Sequence, residues 1–267
     1  MTKITFLGTG EAIDPDRTNT SYLIENQGRS IMVDCGYDSA KSLMRYLQKT
    51  GQSLEDSPDA LLLTHEHGDH MAGIPLLLLA IWEETNRIVG NKGQLEILSS
   101  NPELLNRVYD YVERDYKGFA ERLKKEGPSP FFKQIDIKEG QFVQRLHVRA
   151  ALTSHSVPNF AYRFMDMAGM EFAISGDGAL TEESRKLFRR VGVLIHEGFY
   201  VHKSAENHAS IEDVVNYAIG ADIPRVYIVH VNREERKKSE EIEILKNRAI
   251  LKGVELFLPN DHDSITL

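Results

Sequence analysis

The chain has 267 residues and carries 32 basic against 40 acidic side chains, a formal net charge of −8 at pH 7. This acidic balance argues against a surface committed to long nucleic acid, although it leaves room for a small local basic patch. The apolar content of 41% and the charged content of 27% are ordinary for a soluble globular protein.

Membrane insertion and secretion are not indicated. The longest apolar run, residues 74–82, is shorter than the roughly 18 residues that a membrane span needs, and Pro75 interrupts it. The first residues are strand-like and lack the layout of a signal peptide, so we expect a cytoplasmic protein. Cys35 is the only cysteine, so no internal disulfide can form and any zinc must be held by His, Asp and Glu.

The first part of the chain alternates between strand and helix patterns. No stretch resembles a linker, and we expect a single domain over residues 1–267. Alternating apolar residues predict strands, and apolar residues three and four apart predict helices. The predicted strands are 3–7, 21–25, 30–34, 61–64 and 94–98, and the predicted helices are 38–49 and 74–84.

Residues 101–126 form a charged, helical pattern that stops at the Gly-Pro-Ser-Pro sequence of 127–130. We interpret 101–130 as a helical insertion that covers a cleft. Its basic end is typical of a solvated surface, with contact to substrate or to a second subunit as alternatives. Its aromatic residues fit either a pocket lining or the helix core, and a homodimer stays open.

The second half is again rich in strands. The predicted strands are 131–137, 146–152, 161–165, 170–174, 193–196, 226–229 and 255–258, and the predicted helices are 181–190, 210–218 and 234–252. Strands in groups with helices between them favour two β-sheets flanked by helices.

One short stretch concentrates the chemistry. The strand at 61–64 runs directly into His65, His67, Asp69 and His70. Side chains alternate in an extended segment, so the first two histidines would face the same way. A bend at Gly68 followed by a helix would aim the other two residues at the same space. Imidazole and carboxylate are typical ligands of zinc, and two such groups so close together suggest two ions.

Three later strands each end in a residue that can bind a metal, namely His155, Asp177 and His230. Each is weak evidence alone, because a histidine at a strand end is usually structural. Together with the first motif, and in this order, they resemble the ligand series of the metallo-β-lactamase superfamily.

This resemblance implies a fold and a set of roles. The fold is the α/β (α+β) four-layer αβ/βα sandwich. One zinc would be held by His65, His67 and His155, the other by Asp69, His70 and His230, and Asp177 would bridge both ions. Manganese or iron would be alternatives to zinc. Asp34 would hydrogen-bond the metal-bearing loop rather than bind metal. The two ions would generate a hydroxide near neutral pH, and Asp69 and Asp177 would orient it or take its proton.

A narrower resemblance concerns ribonuclease Z and the cyclic phosphodiesterases of phosphonate utilisation. It rests on the sequence Ser-His-Ser-Val-Pro-Asn-Phe-Ala-Tyr-Arg at 154–163 and on the surroundings of Asp177 and Glu197. In these enzymes a further histidine serves the leaving group, and it matches His208, which Glu197 would help to orient. The alternative for His208 is a surface loop residue near a helix start.

The match departs from ribonuclease Z at one place. Only 21 residues separate His155 from Asp177, which leaves no room for the long arm with which ribonuclease Z grips tRNA. We therefore expect a dinuclear zinc phosphodiesterase that acts by a metal-bound hydroxide on a small or cyclic diester rather than on RNA. The alternatives are a tRNA 3′-processing endonuclease, a lactone or ester hydrolase at the same metals, and a non-hydrolytic protein with the same fold.

Overall fold

The computed structural model describes residues 1–87, 95–115 and 132–267. Within these residues the strands form two seven-stranded mixed sheets. In spatial order the first sheet contains β14 (Ser264–Thr266), β1 (Thr2–Gly8), β2 (Ser21–Asn26), β3 (Arg29–Val33), β4 (Ala60–Leu62), β5 (Leu95–Ser99) and β6 (Phe132–Asp136). The second contains β13 (Glu255–Phe257), β12 (Arg225–Val229), β11 (Val193–Glu197), β10 (Glu171–Ile174), β9 (Phe160–Met165), β8 (Leu146–Leu152) and β7 (Gln141–Val143).

Helices cover the outer face of each sheet. The described helices are α1 (Ser39–Thr50), α2 (Gly68–Met71), α3 (Ile74–Arg87), α4 (Pro102–Asp115), α5 (Glu182–Phe188), α6 (Ile211–Gly220) and α7 (Ser239–Ile250). Buried residues of α1, α3 and α4 form one apolar cluster with the first sheet, and those of α5, α6 and α7 form another with the second sheet. None of the helices in the described ranges combines the length and apolar character needed to cross a bilayer.

The third apolar cluster lies between the two sheets. It joins Phe6 and Tyr22 of the first sheet to Phe164 and Phe172 of the second, and all four side chains are at most 2% exposed. The resulting order of layers is helix, sheet, sheet, helix, which confirms the predicted four-layer αβ/βα sandwich.

Both sheets combine an antiparallel half with a parallel half. Strands β3 to β6 run parallel in the first sheet, and β10 to β13 run parallel in the second. The carboxyl ends of neighbouring parallel strands therefore lie along one edge of each sheet, where α/β proteins commonly bind ligands. The predicted site residues follow these strand ends.

Three elements differ from the prediction. The single helix predicted over 234–252 is a 3₁₀ turn, Glu235–Lys237, followed by α7, because Lys238 has non-helical backbone angles. Strands β7 and β14 were not predicted, since three residues are too few to show an alternating pattern.

The predicted insertion at 101–130 is described only as far as residue 115. Its helix α4 buries Leu104, Leu105, Val108 and Val112 in the apolar cluster of the first sheet. Arg107 of this helix forms ion pairs with Glu66 and Glu103, which joins α4 to the histidine motif. The basic end of the insertion and its predicted stop lie outside the described residues.

We expect Phe164→Ala to lower the free energy of unfolding by about 3–5 kcal/mol, because it removes a large side chain from between the sheets. Phe164 is 0% exposed and stacks on Phe172 with ring centroids 4.8 Å apart. Urea denaturation measures the change. The control is Phe142→Ala, whose ring is 59% exposed, and it should shift stability by no more than about 0.5 kcal/mol. Equal effects of the two variants would contradict the assignment of the inter-sheet core.

Candidate metal centre

Loops at the carboxyl ends of strands in both sheets deliver the predicted site residues to one place. His65 follows β4, His155 follows β8, Asp177 follows β10 and His230 follows β12. Helix α2 begins at Gly68 and carries Asp69 and His70 in its single turn. The strand, bend and helix predicted for this motif are thus present.

The seven predicted metal ligands form two adjoining groups. Candidate ligand atoms of His65, His67 and His155 lie within 4.8 Å of one another, and so do those of Asp69, His70, Asp177 and His230. Within the described residues the structure brings all seven together, from four separate parts of the sequence.

Asp177 lies between the two groups. Its carboxylate oxygens are 3.2 Å from His230 Nε2 and 3.4 Å from His70 Nε2, on one side. They are 3.9 Å from His65 Nε2 and 4.0 Å from His155 Nε2, on the other. A single carboxylate therefore lies within 4.0 Å of imidazole nitrogens from both groups.

Four of the five histidines among the predicted metal ligands have their ring orientation fixed by a partner at Nδ1. His70 Nδ1 lies 2.8 Å from Asp34 Oδ2, and His155 Nδ1 lies 2.8 Å from the Asn207 carbonyl. The hydroxyl oxygens of Thr64 and Thr20 lie 2.9 Å from His65 Nδ1 and 3.2 Å from His230 Nδ1, respectively. Such partners hold a ring nitrogen and leave Nε2 available to a metal.

His67 is arranged differently. Its Nδ1 is 3.0 Å from His155 Nε2, and its Nε2 is 3.3 Å from the Ser156 hydroxyl. Because these two imidazole nitrogens lie so close together, both could bind the same metal ion. His67 would then bind it through Nδ1, whereas the other four histidines would bind through Nε2.

Unpaired buried atoms indicate that the cluster fits cations. His65 Nε2, His70 Nε2 and Asp177 Oδ1 are fully buried and have no hydrogen-bond partner in the structure. Leaving a buried polar atom unpaired costs about 1–3 kcal/mol, and three such atoms facing one another need a common partner. Imidazole nitrogen and carboxylate oxygen are the donors that divalent zinc accepts, so these residues fit the metal ions expected for the fold.

The electrostatics of His65 and Asp177 agree with this interpretation, whereas the raised pKa of His70 favours a proton that a metal ion would have to displace. Burial lowers the pKa of His65 well below its ordinary value, and His70 adds to the effect. Burial opposes ionisation of Asp177, but the facing His230 and His70 hold its pKa well below the usual range. Burial also opposes protonation of His70, but Asp177 and Asp34 raise its pKa well above the ordinary value. Neutral His65 and anionic Asp177 are the protonation states in which these groups bind metals.

Asp34 occupies the position predicted for it. It follows β3 with a positive φ of 56°, and its Oδ1 accepts a hydrogen bond from the Thr64 backbone N–H. Its Oδ2 accepts bonds from the Thr64 hydroxyl and from His70 Nδ1. Because Thr64 also contacts His65, Asp34 orients one histidine directly and the other through Thr64.

His208 and Glu197 lie beside the cluster. His208 Nδ1 is 3.1 Å from Glu197 Oε1, and a ring nitrogen of His208 lies within 4.8 Å of candidate ligand atoms of His155 and Asp177. Burial disfavours protonated His208, but the hydrogen bond with Glu197 outweighs it, so its pKa is raised above the ordinary value. Glu197 is fully buried and also accepts bonds from the backbone N–H groups of Gly178 and Ala209.

Sequence reasoning missed several supporting residues. Thr20 and the Asn207 carbonyl orient two of the histidines, and Phe199 stacks on the His208 ring with centroids 4.5 Å apart. A threonine or a backbone carbonyl carries no recognisable pattern. Phe199 lies two residues after Glu197, and this proximity was the one available signal.

The fold and the site together define the class of protein. The structure of the metallo-β-lactamase fold protein YhfI from Bacillus subtilis is similar, with a TM-score of 0.75 at 18% identity over 99% of this chain and 98% of the other. The short form of human tRNase Z gives a TM-score of 0.68 at 20% identity over 99% and 98%. A diphosphatase from the PhnP family gives 0.70 at 15% identity over 100% and 98%. The chain thus has the metallo-β-lactamase fold.

Similar sequences show the enzyme class and the family to which the chain belongs. Ribonuclease Z of Metallosphaera sedula is 22% identical over 90% of this chain and 91% of its own length, and that of Haloarcula marismortui is 24% identical over 90% and 89%. The relatives are metal-dependent hydrolases, which confirms the enzyme class predicted from the sequence. The model of the Anti-Pycsar protein Apyc1 family matches residues 2–249, and the chain belongs to that family.

We expect Asp34→Asn to weaken zinc binding by about 10- to 100-fold. The amide would present an N–H to His70 Nδ1, which would move the ring proton to Nε2 and block that atom as a ligand. Competition with a chromophoric chelator measures the affinity. Asp59→Asn is the matched control. Asp59 also accepts a hydrogen bond from a backbone N–H group, that of Ser30, but it lies just before β4, at the end of that strand opposite to the histidine motif. If both variants bind zinc like the native protein, Asp34 does not orient a ligand.

Proposed function

We propose that this protein is a phosphodiesterase that uses two divalent metal ions, with zinc as the first candidate, to hydrolyse a small or cyclic phosphodiester. The observation that carries the proposal is the position of Asp177 between two groups of histidines, with the pair of His208 and Glu197 on the flank of the same cluster.

Each ion would have its own protein ligands. His65, His67 and His155 would hold one ion, and Asp69, His70 and His230 would hold the other, with Asp177 shared. When bound, two divalent ions lower the pKa of a water molecule and neutralise the charge that a phosphoryl group develops during displacement. The orienting partners at Nδ1 keep four of the five imidazoles in position for this role.

Asp69 would accept the proton of the attacking water. Its carboxylate is 3.4 Å from His70 Nε2 and 3.9 Å from His230 Nε2, so it lies beside the second group of ligands. Burial opposes its ionisation, but the facing imidazoles of His70 and His230 keep its pKa below the ordinary value. An ionised carboxylate in this position can accept a hydrogen bond from the water and orient it.

His208 would protonate the leaving alkoxide. Glu197 accepts a hydrogen bond from Nδ1, which fixes the ring and favours its protonated form. Phe199 packs flat against the imidazole and limits its rotation. His208 is partly exposed, with 22% of its side chain accessible, so a substrate bound at the cluster could reach it.

A small substrate is favoured over tRNA by the link between His155 and Asp177. Strands β9 and β10 and their short turn take up most of this link. A tRNA-gripping arm of the ribonuclease Z type has no space there, and the net charge of −8 disfavours a long polyanion. Ribonuclease Z remains the second candidate, because the sequence relatives described above carry that name. A lactone or ester hydrolase is a further alternative at the same metals.

A substrate panel separates these candidates. We expect protein loaded with zinc or manganese to hydrolyse bis-p-nitrophenyl phosphate and a cyclic nucleotide diester, and to leave a lactone and precursor tRNA largely unchanged. Removal of the metals with a chelator should abolish turnover, and their return should restore it. Cleavage of precursor tRNA at its 3′ end with no activity on small diesters would reverse the order of the candidates.

We expect His208→Ala to lower kcat on a diester with an alkoxide leaving group by about 10²- to 10⁴-fold, with metal content intact. The loss on bis-p-nitrophenyl phosphate should be much smaller, because p-nitrophenolate leaves without protonation. The ratio of the two losses measures the proton-donor role.

The matched control is His202→Ala, since His202 pairs with Glu212 and Glu241 at the surface and belongs to none of the candidate metal-binding groups. It should not change either rate. Unchanged turnover of the alkoxide substrate in His208→Ala would remove His208 from the proposed mechanism.

A further inference from the structure

The loop that carries Asp177 has an unusual backbone. Gly176 and Gly178 flank the aspartate with φ values of +62° and +101°. A side chain at Gly176 would come within 2.5 Å of Asn159 Oδ1, and one at Gly178 within 2.5 Å of Thr153 Oγ1. Positive φ favours glycine, and the side chains of Asn159 and Thr153 also leave no room for a Cβ at Gly176 and Gly178, respectively.

Asn159 is the central member of this contact. It immediately precedes β9 and is 0% exposed. Its Nδ2 donates to the carbonyl of Ser175 at 3.0 Å and to the carbonyl of Asp177 at 2.6 Å. Its Oδ1 accepts a bond from the Asp177 backbone N–H at 3.2 Å. One amide side chain thus binds the main chain of Asp177 at both its N–H and its carbonyl.

Thr153 completes the arrangement. Its hydroxyl donates to the Asp177 carbonyl at 2.6 Å and lies 2.7 Å from Asn159 Nδ2. The amide nitrogen therefore faces three oxygens, and the amide oxygen faces an N–H group, so the amide can be oriented in only one way without repulsion.

Asn159 also connects to the histidine motif. The backbone N–H of Phe160, the next residue, donates to the Thr64 carbonyl at 3.1 Å. A Cβ at Gly176 would lie 2.9 Å from Thr64 Cβ, so the loop of Asp177 fits between Asn159 and Thr64. The segment that contains Asn159 is therefore fixed both to the loop of Asp177 and to the start of the histidine motif.

We infer that Asn159 is a positioning residue that holds the Asp177 carboxylate between the two metal ions. The inference rests on the proposed function, because it takes Asp177 as a shared ligand. Asn159 itself makes no contact with the candidate ligand atoms and acts only through the backbone of Asp177. Without this clamp, two glycines would leave the loop free to adopt other conformations, and a carboxylate shared by two sites tolerates little displacement.

The test compares native protein, Asn159→Ala and Asn159→Asp. The aspartate variant can still accept from the Asp177 N–H, but it replaces the donor with an oxygen that faces the carbonyls of Ser175 and Asp177. We expect both variants to bind zinc about 10- to 100-fold more weakly, measured by chelator competition. At saturating metal, kcat should fall with KM nearly unchanged, and the visible absorption of cobalt-substituted protein should differ from that of native protein.

Asn26→Ala is the matched control. Asn26 is 2% exposed and hydrogen-bonds Thr2 and the Arg145 carbonyl. It lies at the end of β2, whereas the site lies at the start of that strand, where Ser21 hydrogen-bonds the Asp34 carbonyl. This control should lose stability in denaturation without a change in zinc affinity or in the cobalt spectrum. Should either asparagine variant not fold, Thr153→Val removes one bond to the Asp177 carbonyl and should show the same changes to a smaller degree.

The outcomes separate the two proposals. If native protein binds two equivalents of zinc and hydrolyses a diester, but the Asn159 variants match it in affinity, spectrum and kcat, the positioning role is wrong and the proposed function stands. If native protein binds neither zinc nor manganese nor iron, both proposals are wrong. A loss of stability alone, equal to that of Asn26→Ala, also overturns the positioning role.

Discussion

The architecture of the site depends on the need to partner ionisable groups that are withdrawn from water. His65, His70 and Asp177 are at most 2% exposed, and each presents an atom without a hydrogen bond to the space between them. Burying such groups is costly unless charges and lone pairs are matched. The surrounding protein matches the outward-facing ring nitrogens of His70 and His65 through Asp34 and Thr64, and Asn159 holds the main chain of Asp177. The inward-facing atoms are left available to bind cations. Burial therefore destabilises the cluster of ligand atoms without metal ions and favours the cluster with metal ions bound.

The topology explains how these residues meet. Parallel strands place their carboxyl ends at one edge of each sheet, and packing the two sheets face to face brings the two edges together. The first sheet contributes the histidine motif after β4, and the second contributes Asp177 after β10 and His230 after β12. Because the ligands come from both sheets, the apolar layer between the sheets fixes the distances across the site.

Glu197 connects His208, the proposed proton donor, to the loop of Asp177. The same oxygen, Oε1, accepts from the Gly178 backbone beside Asp177, from the Ala209 backbone and from His208. The Asn207 carbonyl, one residue before His208, in turn orients His155. A shift of the loop around His208 would therefore disturb a ligand of each group. Because of this shared support, the proposed leaving-group role of His208 and the proposed metal site would depend on the same hydrogen bonds.

The amino-acid sequence by itself predicted most of the strands and helices and the cluster of His65, His67, Asp69 and His70, because periodicity and spacing are local properties. By resemblance to the metallo-β-lactamase superfamily it further implied the four-layer fold and the roles of His155, Asp177 and His230. It also indicated Asp34, Glu197 and His208 through resemblance. Only the tertiary structure decided which atoms orient them, as with Thr20, the Asn207 carbonyl and Asn159, since these contacts join residues far apart in the chain and involve side chains without a distinctive pattern. The tertiary structure likewise revealed strands β7 and β14 and the break in the helix at Lys238. Neither the pairing of a three-residue strand nor the backbone angles of one residue produce a periodic pattern in the sequence.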